Sequence, residues 1–242
     1  MRMGCRCVVY VHAAVSEGRV TALKALGATV VRVPDNYDAT VRQCTLDADS
    51  NGWSVVSDTA WEGYSTIPAD VMNGYSLVPA EVVDELGDRP PTHVFVQAAV
   101  GGVAAAVLAT FLHAWSGRRP RFTVVEPDLA DCFLRSARAG EATAINVQQE
   151  TVMAGLSCGE VSPVAWPILK RGAVDFVSLP DSMVAPAMHL LANSPYGDPS
   201  IVAGESAVAG LCALLAARES DDMSAALALD ADSRVLLIGT EG

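Results

Sequence analysis

Lysine is nearly absent from this 242-residue chain: Lys24 and Lys170 stand against fourteen arginines. Chemistry that needs a lysine amine therefore has two candidates. Histidine is almost as scarce, at His12, His93, His113 and His189, and no pair has metal-ligand spacing. Six cysteines, Cys5, Cys7, Cys44, Cys132, Cys158 and Cys212, show neither C-x-x-C nor a zinc pattern. A metal centre is not expected. The G-x-G-x-x-G dinucleotide fingerprint is missing as well. Excess positive charge is lacking: the net charge is −12, which argues against nucleic acid and anionic membrane as partners. No apolar run reaches membrane-spanning length without glycine, proline or charge. The short run after Met1 is broken by His12 and reads as a strand rather than a leader, so the expected location is cytoplasmic.

What is present is a globular composition, 51% hydrophobic and 18% charged, long enough for one or two domains. Cys7 to His12 and Thr29 to Val33 read as buried strands. Ser16 is placed to cap a helix ending at Gly27, and residues 35–48 form a weaker one. Trp53 to Ser57 reads as a third strand, giving β-α-β-α-β and a small parallel sheet. Pro68 suits the first turn of one long helix to about Leu86. Strands follow at 93–98, 121–125, 174–179 and 234–239, with helices between them. Asp181 and Gly204-Glu205-Ser206 stand at expected helix starts. The result is an α/β chain of two parallel-sheet domains, a small one at 1–62 and a larger one at 63–242.

The organising stretch is Thr92 to Trp115. An apolar strand centred on Val94, Phe95 and Val96 passes through Ala98-Ala99-Val100-Gly101-Gly102 into a small-residue helix. A helix start leaves backbone N–H groups free, and with the helix dipole these attract an anion, commonly phosphate. The same glycines would also serve a plain sharp turn. Other irregular segments sit near strand ends, where α/β proteins place chemistry. These are the polar loop 57–66 with Asp58 and Trp61, the small-residue loop around Gly155, and the terminal Thr240. Together they suggest a phosphate-bearing cofactor between two domains.

The motifs PDNYDATVR, SDTAWEGYSTIPADVMNGY, PTHVFVQAAVGG, VVEPDLADC, TVMAGLSCGE, SPYGDP, AGESAVAGL and GTEG occur in that order from about Gly4 to Gly242. In this series the chain resembles the diaminopropionate ammonia-lyases, pyridoxal-phosphate enzymes of the tryptophan-synthase β-like fold (fold type II). The resemblance implies pyridoxal 5′-phosphate as cofactor and a small amino acid as substrate. It implies removal of ammonia from 2,3-diaminopropionate, giving pyruvate and two ammonia, by a homodimer. It implies that Val100, Gly101 and Gly102 hold the cofactor phosphate. Thr240 would meet the pyridine nitrogen, and Asp58 would face the substrate as an acid–base or orienting group. Tyr37 and Trp61 would lie near the substrate, Gly155 would let backbone pass close to the ring, and Glu205 would lie near the cofactor or act as a helix-start charge. Cys132 and Cys158 would face each other near the site entrance.

Two departures matter. Upstream of the segment matching Gly4, the family carries its Schiff-base lysine and a T-D-G-N-H-G loop; this sequence has no counterpart of either, and neither Lys24 nor Lys170 matches that lysine. The chain as given is therefore expected to be inactive alone. The family also favours glycine where Ala99 stands, which would matter if that position needed a positive φ. A non-catalytic remnant or interaction subunit, and another fold-type-II dehydratase such as threonine dehydratase, remain as alternatives.

Overall fold

A computed structural model describes residues 4–242. The chain divides into two compact units, Met1–Val56 and Ser57–Gly242. The division falls before the polar loop rather than after residue 62, and the loop bonds to the larger unit: the Tyr75 hydroxyl donates to Asp58 at 3.2 Å.

In the first unit, β1 (Val8–His12) and β2 (Thr29–Val33) pair in parallel, Val8 opposite Thr29. Between them runs α1 (Glu17–Ala25), capped by Ser16, whose hydroxyl accepts from Arg19 N–H at 3.4 Å. Helix α2 (Tyr37–Asn51) starts at Asn36, which accepts from Ala39 N–H at 3.0 Å, and ends at Gly52 with φ 66°. The expected third strand at 53–57 is not formed; the sheet has two strands. β-Branched residues favour a strand only where a packed, pleated face receives them, and here Trp53 and Val56 are exposed.

In the second unit, β3 (His93–Gln97), β4 (Arg121–Pro127), β5 (Asp175–Leu179) and β6 (Val235–Leu237) form one sheet. The order is β5-β4-β3-β6, with every pair parallel. Strand β3 is buried along its whole length. Its side chains alternate between two cores. Val94 and Val96 join Phe111, Phe122, Phe133 and Leu169 on one side. Phe95 joins Leu179, Val184 and Cys212 on the other. Burying one such side chain contributes roughly 1.5–3 kcal/mol.

The helices of this unit are α3 (Thr66–Tyr75), α4 (Leu77–Leu86), α5 (Gly102–Ala114), α6 (Cys132–Ala139), α7 (Trp166–Gly172), α8 (Val184–Asn193), α9 (Ala209–Arg218) and α10 (Asp221–Ala226). The expected single helix from Pro68 to Leu86 is two, broken at Ser76. Pro79 has no N–H to give, and its ring would strike the Tyr75 carbonyl in a continuous helix. Asp181 does not cap a long helix either: its carboxylate accepts from the Thr151 hydroxyl and from Val152 N–H, pinning the loop before Gly155. Among the described residues no helix is long and apolar enough to cross a membrane, and no cluster of three metal-ligating side chains occurs.

Candidate active site: an uncapped helix start at the end of the central strand

The connection from β3 to α5 is governed by Gly101, whose φ is +97°. L-residues with a side chain avoid that region. Space excludes a side chain too: a Cβ on Gly101 would lie 2.4 Å from Phe133 Cζ and 3.2 Å from Ala165 Cβ. Helices α1 and α2 begin with side-chain caps, whereas α5 has none. Its first-turn N–H groups, from Gly101 onward, have no intrahelical acceptor. They border a cavity of about 320 Å³ at the C-terminal end of β3. Gly102 is the first helical residue and has an ordinary φ, so the conformational demand rests on Gly101. Ala99 borders the cavity without a positive φ; among the described residues only Ser194 and Ala228 combine a side chain with positive φ.

The rest of the cavity wall supplies polar groups from four further segments. Asp58, after the unpaired segment, accepts a hydrogen bond from the Tyr75 hydroxyl at 3.2 Å. Burial, then the Asp58 charge and hydrogen bond, push Tyr75 up to about 12, so it remains a donor. Thr240, just past β6, accepts from Gln97 Nε2 at 3.1 Å. Gly155 donates its N–H to Ser206 Oγ at 3.1 Å, and Ser206 N–H donates to Glu241 Oε2 at 2.9 Å. A Cβ on Gly155 would sit 3.0 Å from Ser206 Oγ, so a side chain there would press on this hydroxyl. Donors thus gather at the α5 end, while Asp58 and Glu241 bring negative charge suited to an amine.

Six expected site residues meet at this cavity: Asp58, Val100, Gly101, Gly102, Gly155 and Thr240. Glu205 is not among its lining residues; the neighbouring Ser206 and the paired Glu241 are. Trp61 does not line it either. Its ring stacks on Tyr64 at 4.2 Å between centroids, which braces the loop carrying Asp58. Tyr37 is the first residue of α2 in the other unit. Cys132 and Cys158 are buried thiols outside the lining. Cys132 Sγ lies 3.6 Å from Glu126 Oε1 and 3.9 Å from the Ala99 carbonyl, directly behind the cradle. Lys170 is on α7 and donates to the Gly140 carbonyl, and Lys24 is in the other unit. Among the described residues of the larger unit, no lysine lines the cavity.

Sequence reasoning did not find Gln97, Tyr75, Ser206 or Glu241. Gln97 had a signal: a long polar side chain closing an otherwise apolar buried strand. Residues 155–159, Gly-Leu-Ser-Cys-Gly, also fit the G-x-S-x-G spacing of a nucleophile elbow. Ser157 is nevertheless 3% exposed, ends a 3₁₀ turn rather than standing between strand and helix, and does not line the cavity.

Glu126 supports the cradle from behind. It is fully buried, and its two carboxyl oxygens accept from Phe133 N–H at 2.8 Å and Leu134 N–H at 2.9 Å. This fixes the first turn of α6 and so holds the Phe133 ring against Gly101. Burial pushes the Glu126 carboxyl up to about 8, against the lowering effect of these hydrogen bonds. A raised folded-state value means the folded state binds the proton more tightly. Its contribution is full below the ordinary carboxylate range and is lost as pH rises through about 8. Glu126→Gln should be less stable than wild type at pH 5 by about 1–3 kcal/mol, because one N–H loses its acceptor. The gap should narrow by pH 8, as only wild type loses the proton-linked part. Melting curves across this range test it; a constant gap would remove Glu126 as the titrating group.

A glycine-formed, uncapped helix N-terminus at the carboxyl end of a parallel sheet, bordered by a hydroxyl and a carboxylate, is the kind of site at which α/β proteins hold the phosphate of a cofactor. The positive φ of Gly101 and the absence of room for a Cβ fit backbone N–H groups presented to such a phosphate. The chain belongs to the pyridoxal-phosphate dependent enzymes, whose family pattern matches residues 1–241. It is 40% identical over 247 residues to the diaminopropionate ammonia-lyase of Escherichia coli (strain K12), covering 100% of this chain and 62% of that protein. Identity to the diaminopropionate ammonia-lyase of Salmonella typhimurium (strain LT2) is 34% over 250 residues, again covering 100% and 62%. A crystal structure of the Escherichia coli enzyme, in complex with an aminoacrylate-PLP azomethine reaction intermediate, superposes with a TM-score of 0.92 at 40% identity. It covers 99% of this chain and 62% of that one. The chain thus spans somewhat under two thirds of the length of these relatives.

Proposed function

We propose that this chain forms the phosphate-holding and substrate-facing part of a diaminopropionate ammonia-lyase. The reaction removes ammonia from the β-carbon of 2,3-diaminopropionate; hydrolysis of the resulting enamine gives pyruvate and a second ammonia. The observation that carries the reading is the meeting of the α5 N-terminus, Asp58 and Thr240 at one cavity, supported by the 40% identity to an enzyme of that name. Pyridoxal phosphate, when bound, supplies the electron sink for loss of the Cα proton. The N–H groups of the α5 first turn bind its phosphate. Thr240 gives its ring nitrogen a neutral partner, and Asp58, held by Tyr75, orients the substrate amine or relays a proton. By resemblance alone, we place the intact protein in the cytoplasm as a homodimer; a monomer mass in sedimentation would set the dimer aside.

A second reading has its own support. Within the larger unit no lysine lines the cavity, and neither Lys24 nor Lys170 stands in a segment resembling the family's lysine-bearing one. We infer that it holds pyridoxal phosphate only non-covalently and forms negligible pyruvate from diaminopropionate. Absorbance of the mixture and a pyruvate assay test this. Borohydride-fixed cofactor on Lys24 or Lys170, with steady turnover, would overturn it.

A further inference from the structure

Gln97 closes β3 and is only 4% exposed, yet it is polar. Its Nε2 donates to Thr240 Oγ1 at 3.1 Å, while its Oε1 is buried without a hydrogen-bond partner. A threonine hydroxyl has one proton and two lone pairs. With a lone pair engaged by Gln97, the proton of Thr240 has to point elsewhere, and no described residue accepts it. Thr240 is itself exposed at the cavity wall. The hydroxyl therefore meets a ligand as a donor.

We propose that Gln97 is a positioning residue that sets the polarity of Thr240, so that the cavity selects a ring nitrogen that is unprotonated and accepts. This rests on the reading above, in which Thr240 faces the pyridine nitrogen of pyridoxal phosphate. A glutamine aligned the other way, with its oxygen toward Thr240, would take up the hydroxyl proton and leave only a lone pair for the ring. A carboxylate at position 97 would do the same. The buried, unpartnered Oε1 carries an energetic penalty, and it is the consequence of turning Nε2 toward Thr240. Nothing in composition or periodicity marks this pair: residues 97 and 240 lie 143 positions apart and meet only because β3 and β6 are neighbours.

The test compares two ligands on the 242-residue chain: pyridoxal 5′-phosphate, and its ring-N-methylated analogue, which keeps the phosphate and has no ring lone pair. Wild type should prefer pyridoxal phosphate by about threefold to tenfold, the worth of one net hydrogen bond. Gln97→Glu should abolish that preference, because Thr240 then donates to the carboxylate. Gln97→Met, which keeps the length and frees the hydroxyl to rotate, should reduce the preference while leaving the analogue's affinity unchanged; it serves if the buried glutamate prevents folding. A variant in which both ligands weaken alike, or in which the preference persists, overturns the positioning role and leaves the proposed function standing. Failure of wild type to bind pyridoxal phosphate at all overturns the proposed function, and this inference with it.

Discussion

Gly101→Ala is expected to be among the most damaging single-methyl changes in the larger unit. Alanine at a φ of +97° is strained by about 1–2 kcal/mol. The added Cβ would lie 2.4 Å from Phe133 Cζ, and overpacking of that kind costs about 1–3 kcal/mol. Phe133 cannot swing aside freely, since Glu126 accepts from its backbone N–H and the ring is fully buried. The sum, about 2–5 kcal/mol, corresponds to a fall in melting temperature of roughly 5–15 °C for a unit of this size. Binding of pyridoxal phosphate should be lost at temperatures where the variant remains folded, because the N–H groups at the head of α5 are displaced. Gly140→Ala is the matched control: Gly140 has φ 75° and open space where a Cβ would stand. It should show only the conformational part of the loss. Equal melting temperatures for Gly101→Ala and wild type would refute this account of the turn.

Asp58→Asn should have the largest effect on chemistry, measured in a protein extended to the full length of its relatives. The amide keeps an oxygen that accepts from Tyr75, so the loop should hold its place. What disappears is the negative charge and the capacity to take a proton. General acid–base groups contribute about 100-fold to 10,000-fold to rate, and elimination should fall within that range while cofactor affinity stays unchanged. Loss of cofactor together with activity would instead mark Asp58 as a structural support. Undiminished turnover would exclude it from the reaction.

The run from β3 into α5 was legible because it is local. A β-branched apolar strand, two glycines and a small-residue helix each follow from near neighbours in the chain. The same holds for Ser16 and Asn36, whose caps reach only three residues ahead. Where the sequence misled, the deciding partner was remote or absent. The segment 53–57 has strand-like residues but no ladder to join. The break at Ser76 is the exception, a local effect: the Pro79 ring would strike the carbonyl of Tyr75, four residues before it. Glu205, expected near the cofactor by resemblance, does not line the cavity, whereas its neighbour Ser206 does. Ser206 N–H is held by the Glu241 carboxylate, 35 positions away in the chain.

By itself, the sequence determined the alternation of strands and helices, the glycine turn, and the ordered motifs that point to pyridoxal-phosphate chemistry. The first two depend on backbone preference and burial pattern, which act over a few residues; the motifs carry their meaning through resemblance to a known family. Only the tertiary structure decided which side chains share the cavity and what state they are held in. Tyr75 reaches Asp58, Gln97 reaches Thr240, and Phe133, anchored by Glu126, presses on Gly101. Each contact joins residues brought together by strand order and helix packing, and hydrogen-bond polarity and close contact depend on distances that no short-range pattern encodes.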